Sequence, residues 1–188
     1  CDSSVTGDFM ASERNRIDPS PPPTARLALR LLGDTQFFLH GEPIKTLTSS
    51  KAVALLAYLA IESDRSHRRE WLARIFWPDS APGRMGQNLR KTLSRLRRDL
   101  GDNDTHCPRL IVTPHTARFN LAPDVWIDTE HFSAALKEAQ AHPHRRLTAC
   151  PPCMEKVAEA AQLYRGDFLA DIIVPESLTF HEWLLVEQ

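Results

Sequence analysis

Nothing in this sequence approaches the ~18 consecutive apolar residues that a membrane-spanning helix needs, so no membrane partner is expected. Its first residues lack the charged, apolar and small-residue order of a secretory signal, and the expected compartment is the cytoplasm. Glycine is scarce, seven residues against fourteen prolines. No Gly-rich phosphate cradle of the Walker or dinucleotide kind occurs, no nucleophile elbow and no His-Glu-x-x-His string. Acid pairs such as Asp102 and Asp104 fall in a turn-rich loop. These absences leave no enzyme reading. The apolar share of 42% is nonetheless ordinary for a globular protein, so a core can form.

Charge is nearly balanced, 23 basic against 24 acidic residues, which at first argues against a nucleic-acid binder. Its distribution argues the other way. From Arg65 to Arg98 there are ten Arg or Lys residues and two acids, Glu70 and Asp79, a net of +8. Thirteen basic and twenty-two acidic residues make up the remainder. Local field, rather than total charge, steers a protein onto phosphates. A solvated basic surface would look the same by charge alone.

Residues 1–24 read as a disordered tail, rich in Ser, Asp and Arg and running into Pro21-Pro22-Pro23. Leu27-Ala-Leu-Arg-Leu31 alternates at period two, turns at Gly33-Asp34 and resumes as Gln36-Phe-Phe-Leu39, a strand, turn and strand. Thr48, Ser49 and Ser50 offer N-caps for a helix from Lys51 to about Ile61, with Val53, Leu55, Leu56 and Leu59 as its apolar face. A second helix is expected from near Ser66 to Trp77-Pro78, with Leu72, Ile75 and Phe76 facing inward, because proline cannot continue the ladder. A third runs from about Arg84 to Leu100, closed by Gly101. Arg109–Thr113 and Ala117–Leu121 then flank Pro114-His115-Thr116 as a hairpin. Sheet, three helices and hairpin is winged helix-turn-helix order, which places that domain at residues 25–122.

Past Pro123 the pattern turns helical and acidic, with eleven acids and five bases in residues 121–188. Helices are expected over Asp128–Ala139, Met154–Tyr164 and Glu176–Gln188. Phe180, Trp183 and Leu184 on the last have no later neighbour in the sequence to cover them. Helical repeats need such neighbours, so residues 123–188 read as the start of a helical-repeat domain in a longer chain. The fold class is therefore mainly α with small β.

The third helix carries the functional expectation. At 100° per residue Leu89, Leu93, Leu96 and Leu100 share one narrow face. The opposite face carries Gln87, Lys91, Ser94 and Arg98, with Arg90, Arg95 and Arg97 on its shoulders and Asn88 beside it. No acid lies between Arg84 and Arg98. A DNA-reading helix needs this split, an apolar seam to anchor it and an outward strip of donors for base edges and phosphates. An ordinary exposed helix mixes signs to form i,i+4 pairs. In the hairpin, Arg118 is a candidate for the minor groove or a phosphate, or else a solvated side chain.

The strings Trp77-Pro-Asp-Ser80 and Gln87-Asn-Leu-Arg-Lys-Thr-Leu-Ser-Arg-Leu-Arg-Arg-Asp-Leu-Gly-Asp102 closely resemble the third-helix region of the Streptomyces antibiotic regulatory protein family. Further similar segments are Leu55–Ala60, His67–Glu70, Val125-Trp-Ile-Asp128, Leu163–Ala170 and Phe180–Leu185. The resemblance covers roughly residues 26–188. It implies an OmpR-like winged helix joined to a bacterial transcriptional activator domain of tetratricopeptide-like helices. It implies Gln87, Asn88, Lys91, Ser94, Arg95 and Arg98 at or near the major groove of double-stranded DNA, with the hairpin as wing. It also implies a helical part that meets RNA polymerase, a partner subunit or downstream sensor domains, and a dimer on DNA repeats.

One motif stands apart. His142-Pro-His144 and Cys150-Pro-Pro-Cys153 put two imidazoles and two thiols within twelve residues, enough for a tetrahedral structural zinc site. A disulfide, which a cytosolic setting disfavours, a redox pair without the βαβ context it requires, and plain thiols are the competing readings. His106 and Cys107 are spare ligand candidates, set apart by the whole hairpin. The leading expectation is sequence-specific DNA binding in transcriptional activation. The alternative is a protein-interaction module whose winged helix is a docking surface, for which a more apolar outer face is expected on the third helix.

Overall fold

The structure, a computed structural model, describes residue 21 and residues 25–102, 107–122, 124–143 and 150–188. The expected tail, apart from residue 21, lies outside the described residues, as do His106 and His144.

Strands β1 (Leu27–Arg30) and β2 (Gln36–Leu39) pair antiparallel, as their alternation requires, and the two-residue β3 (Glu42–Pro43) extends the sheet beyond β2. Helix α1 (Ser50–Ile61) follows an extended Ser49. Its sequence suggests one apolar face, yet every residue from Ala52 to Ala60 is buried. The four alanines 52, 54, 57 and 60 let neighbours approach on the sides that the larger residues leave, so this helix is wrapped on all faces.

The second helix begins later than Ser66. His67–Arg68 forms a short strand, β4, and α2 spans Arg69–Phe76, burying Leu72, Ala73, Ile75 and Phe76. Helix α3 (Pro82–Asp99) starts with proline at its first turn, where a missing N–H costs nothing. It ends at Leu100 and Gly101, whose φ of +68° is the left-handed turn that glycine accepts. The hairpin β5 (Leu110–Val112) and β6 (Thr116–Phe119) joins β4 in a sheet ordered β4-β6-β5. This is a winged helix-turn-helix, with β5–β6 as the wing.

Beyond it the chain is not all helical, contrary to expectation. Val125–Ile127 forms β7, which pairs parallel to β1 and completes a sheet ordered β3-β2-β1-β7. Helices α4 (Asp128–Ala141), α5 (Pro151–Leu163) and α6 (Leu178–Glu187) follow. The face of α6 expected to need a later neighbour is covered from the other direction. Phe180 is fully buried against the α1–α2 core, its ring 5.5 Å from that of Phe76. Trp183 and Leu184 pack partly against the same core, and Trp183 donates to Glu62 at 3.0 Å. The exposed apolar residues of α6 are instead Leu178, Leu185 and Val186.

A polar clasp holds the helical part to the first sheet. The buried Asp128 carboxylate accepts from the backbone N–H of Leu31, Leu32 and Thr129 at 2.8–3.0 Å and pairs with Arg165 at 3.1 Å. Gly33, at φ +84°, passes so close to residue 165 that a Cβ there would lie 3.0 Å from the Arg165 carbonyl group. Its N–H donates to Asp167, and Leu169 donates to Leu31. The segments Val125–Asp128 and Leu163–Ala170 thus meet across this joint.

Candidate functional site

Helix α3 is seated by Leu89, Leu93, Leu96 and Leu100, all at most 3% exposed. With that seam turned inward, Gln87, Arg90, Lys91, Ser94, Arg95 and Arg98 are all exposed, and Asn88 is half-buried. The expected strip therefore exists as one outward face, but its members are not equivalent. Arg95 donates to the Thr46 carbonyl at 2.6 Å and lies 3.6 Å from Asp99, so its guanidinium is drawn back toward the loop before α1. Arg98 lies 3.8 Å from the other Asp99 oxygen, at poorer geometry and with a 68% exposed side chain. The side chain of Asp99, the first acid after the basic stretch, is 4% exposed, so its charge is masked beneath these two arginines.

Beside the N-terminal half of α3 lies a cleft of about 460 Å³ between α2, α3 and the wing. Arg69, Arg74 and Arg90 line it, with Glu70, Gly86 and Pro114. Arg69 donates to the Thr113 carbonyl at the wing turn, and its backbone N–H to that of His115. That turn is tight, with Thr113 Oγ1 accepting from the N–H of His115 and Thr116. In sequence alone, Arg69 and Arg74 stand out only as charge. They lie five positions apart in α2, on no common helical face, so their convergence on Arg90 comes from the packing of α2 on α3.

Arg118 stands in β6 opposite Ile111, away from the wing turn, and donates to the Ser63 carbonyl at 3.2 Å. It ties the wing to the α1–α2 connection.

A second cluster occupies the turn between α4 and α5. His142 caps α4, and Cys150 caps α5 with Pro151 and Pro152 in the first turn. One ligand atom each from His142, Cys150 and Cys153 lies within 4.8 Å of the others, and Cys150 Sγ is 3.4 Å from His142 Nδ1. His142 is exposed, Cys150 half-buried and Cys153 buried. Burial, with the Cys150 thiol alongside, pushes the Cys153 thiol up from its ordinary pKa. This group could hold a metal ion. Cys107 is not part of it, and lies near Asn120 Nδ2 at 3.4 Å. Among the described residues no helix is long and apolar enough to cross a membrane.

The fold defines a class, a winged helix-turn-helix followed by helices. No protein-family model matches the chain, and no curated protein matches it. Among solved structures it is similar to Mycobacterium tuberculosis EmbR, in a complex with a low-affinity phosphopeptide. The TM-score is 0.66 and the identity 22%, over 86% of this chain and 41% of EmbR. At that identity the likeness establishes the fold alone, and this chain spans less than half of the EmbR chain.

Proposed function

We propose that this chain is the DNA-binding part of a larger cytoplasmic bacterial transcription activator, reading double-stranded DNA with α3. One observation carries the reading: the outward face of α3 presents Gln87, Lys91, Ser94 and Arg98 with no exposed acid among them, opposite a buried leucine seam. Gln and Asn suit adenine edges, and Arg and Lys suit guanine edges and phosphates. Asn88 and Arg90 flank that face, while Arg74 supplies a cation for the backbone beside the wing. Arg69, Arg95 and Arg118 contribute to the field around the interface, since each guanidinium already has a carbonyl partner. A docking module would present an apolar face at this position, so the polarity of α3 favours DNA.

Residues 25–122 act in this reading as the DNA-binding unit and residues 123–188 as the start of a helical unit. The latter meets RNA polymerase or another protein, and two copies sit on repeated half-sites. Its cofactor is a structural zinc ion at the α4–α5 turn, with His144 as the candidate fourth ligand.

The test is binding to a random duplex across a salt series. Each phosphate neutralised contributes a slope of about −0.9 in log K against log salt, so about four contacts predict −3 to −4. A slope near zero, or no binding at low salt, overturns the reading.

A further inference from the structure

We propose that His142, Cys150 and Cys153 bind one zinc ion that staples the end of α4 to the start of α5. The inference rests on the cofactor reading above and is independent of DNA binding.

The geometry suits a tetrahedral ion. With Zn–S near 2.3 Å and Zn–N near 2.0–2.1 Å, a regular tetrahedron has edges of roughly 3.8 Å between sulfurs and 3.6 Å between sulfur and nitrogen. The Cys150 Sγ to His142 Nδ1 separation of 3.4 Å is already close to such an edge, and all three donor atoms fall within 4.8 Å. Little reorganisation is needed to close them on an ion. The backbone helps: Pro151 and Pro152 lie between the two cysteines in the first turn of α5, and proline's fixed φ leaves that turn few alternatives. Two thiolates and an imidazole select a borderline-soft ion such as zinc over magnesium or calcium, which take oxygen ligands.

The hairpin also has a physical need for a staple. Apart from Asp128, α4 buries only Ala135 and Ala139, and α5 buries Cys153, Ala160 and Leu163. Alanine contacts let the helices approach closely but remove little apolar surface from water. Leu163 sits at the far end of α5, in a small cluster with Ala28 and Trp126. Among the described residues, the end of the hairpin that carries His142, Cys150 and Cys153 has no comparable apolar anchor, and a metal bond there supplies a constraint. Where a chain cannot bury enough to hold itself, structural metals take that role.

The experiment is metal analysis of the full chain, expressed without a histidine tag and kept reduced, followed by replacement of zinc with cobalt(II). About one zinc per chain is expected. The cobalt form should show a thiolate-to-metal charge-transfer band and the strong visible bands of tetrahedral coordination. Cys150→Ser with Cys153→Ser should abolish both, Cys107→Ser should leave both intact, and His142→Ala should weaken metal binding at least tenfold. The cobalt spectrum of the unaltered chain does not depend on any variant folding. A chain with no stoichiometric metal, or cobalt bound without the charge-transfer band, would overturn the proposal. A metal-free chain that still binds DNA sinks only the zinc staple, and a zinc-loaded chain that ignores DNA sinks only the DNA reading.

Discussion

Helix α1 and the α4–α5 hairpin are of similar length per helix and comparable alanine content, yet they are held in opposite ways. All nine residues from Ala52 to Ala60 are buried in the main core, where they meet Phe76, Phe119, Phe180 and the leucines of α3. Each hairpin helix buries three, mostly small, residues. The winged helix stands on apolar burial, while the hairpin hangs from the Asp128 clasp at one end and, by our proposal, a metal at the other. A surface that reads DNA gains from a rigid support, because its side chains must hold their register against the groove.

This contrast can be broken at several points. The largest effect belongs to the shared core: Phe76→Ala should cost about 3–5 kcal/mol. Because Phe76 also meets Phe180 of α6, urea unfolding followed at Trp183, with Trp71, Trp77 and Trp126 replaced by Phe, and by far-UV circular dichroism should shift together. Separate transitions would show that α6 does not share that core in solution. Next comes the clasp. Asp128→Ala strands the N–H groups of Leu31 and Leu32 and leaves Arg165 without its partner, so a loss of about 2–4 kcal/mol is expected. Thermal denaturation would register it, and an unchanged midpoint would mean the two regions are joined mainly by apolar contact.

Removing metal with a chelator should act more locally. Amide hydrogen exchange should speed up across the α4–α5 turn while α1 and α3 keep their protection. Uniform loosening would contradict the division of labour between the regions. The smallest stability effect is expected on the outer face of α3. Lys91→Ala should leave unfolding within about 0.5 kcal/mol of the unaltered chain, while weakening DNA binding and reducing the salt slope by about 1. Arg95→Ala should weaken binding less than Lys91→Ala, since its guanidinium is already committed to Thr46. A reversed order, read by titration of labelled duplex, would place the DNA nearer the C-terminal end of α3.

The wing and the helix order were legible because they rest on local signals. Alternation marks Leu27–Leu31 and Gln36–Leu39, the leucine spacing marks α3, and Trp77-Pro78 ends α2. Three strands carry no such signal: β3, a two-residue edge added to β2, and β4 and β7, two and three residues long, whose partners lie about 50 and 100 positions away. Period-two patterning has nothing to work on in so short a run. The starting point of α2 was misread for the same reason, since His67 and Arg68 look like a helical first turn until β6 lies alongside. In α1 the pattern marked only the larger apolar residues, because alanine is silent about burial until its neighbours are known.

Local pattern suffices to say which face of α3 turns inward, where basic residues gather, and which His and Cys residues are close enough along the chain to be candidates for one ion. These follow from helical period and chain connectivity. Packing at long range is what closes α6 over α1 and α2, gathers the amides of Leu31 and Leu32 on Asp128, sets Arg69, Arg74 and Arg90 around one cleft, and turns Arg95 back to Thr46. The reason is physical. Each of these contacts joins residues whose local preferences are satisfied equally well without it, so only the packing of distant segments around a common core selects it.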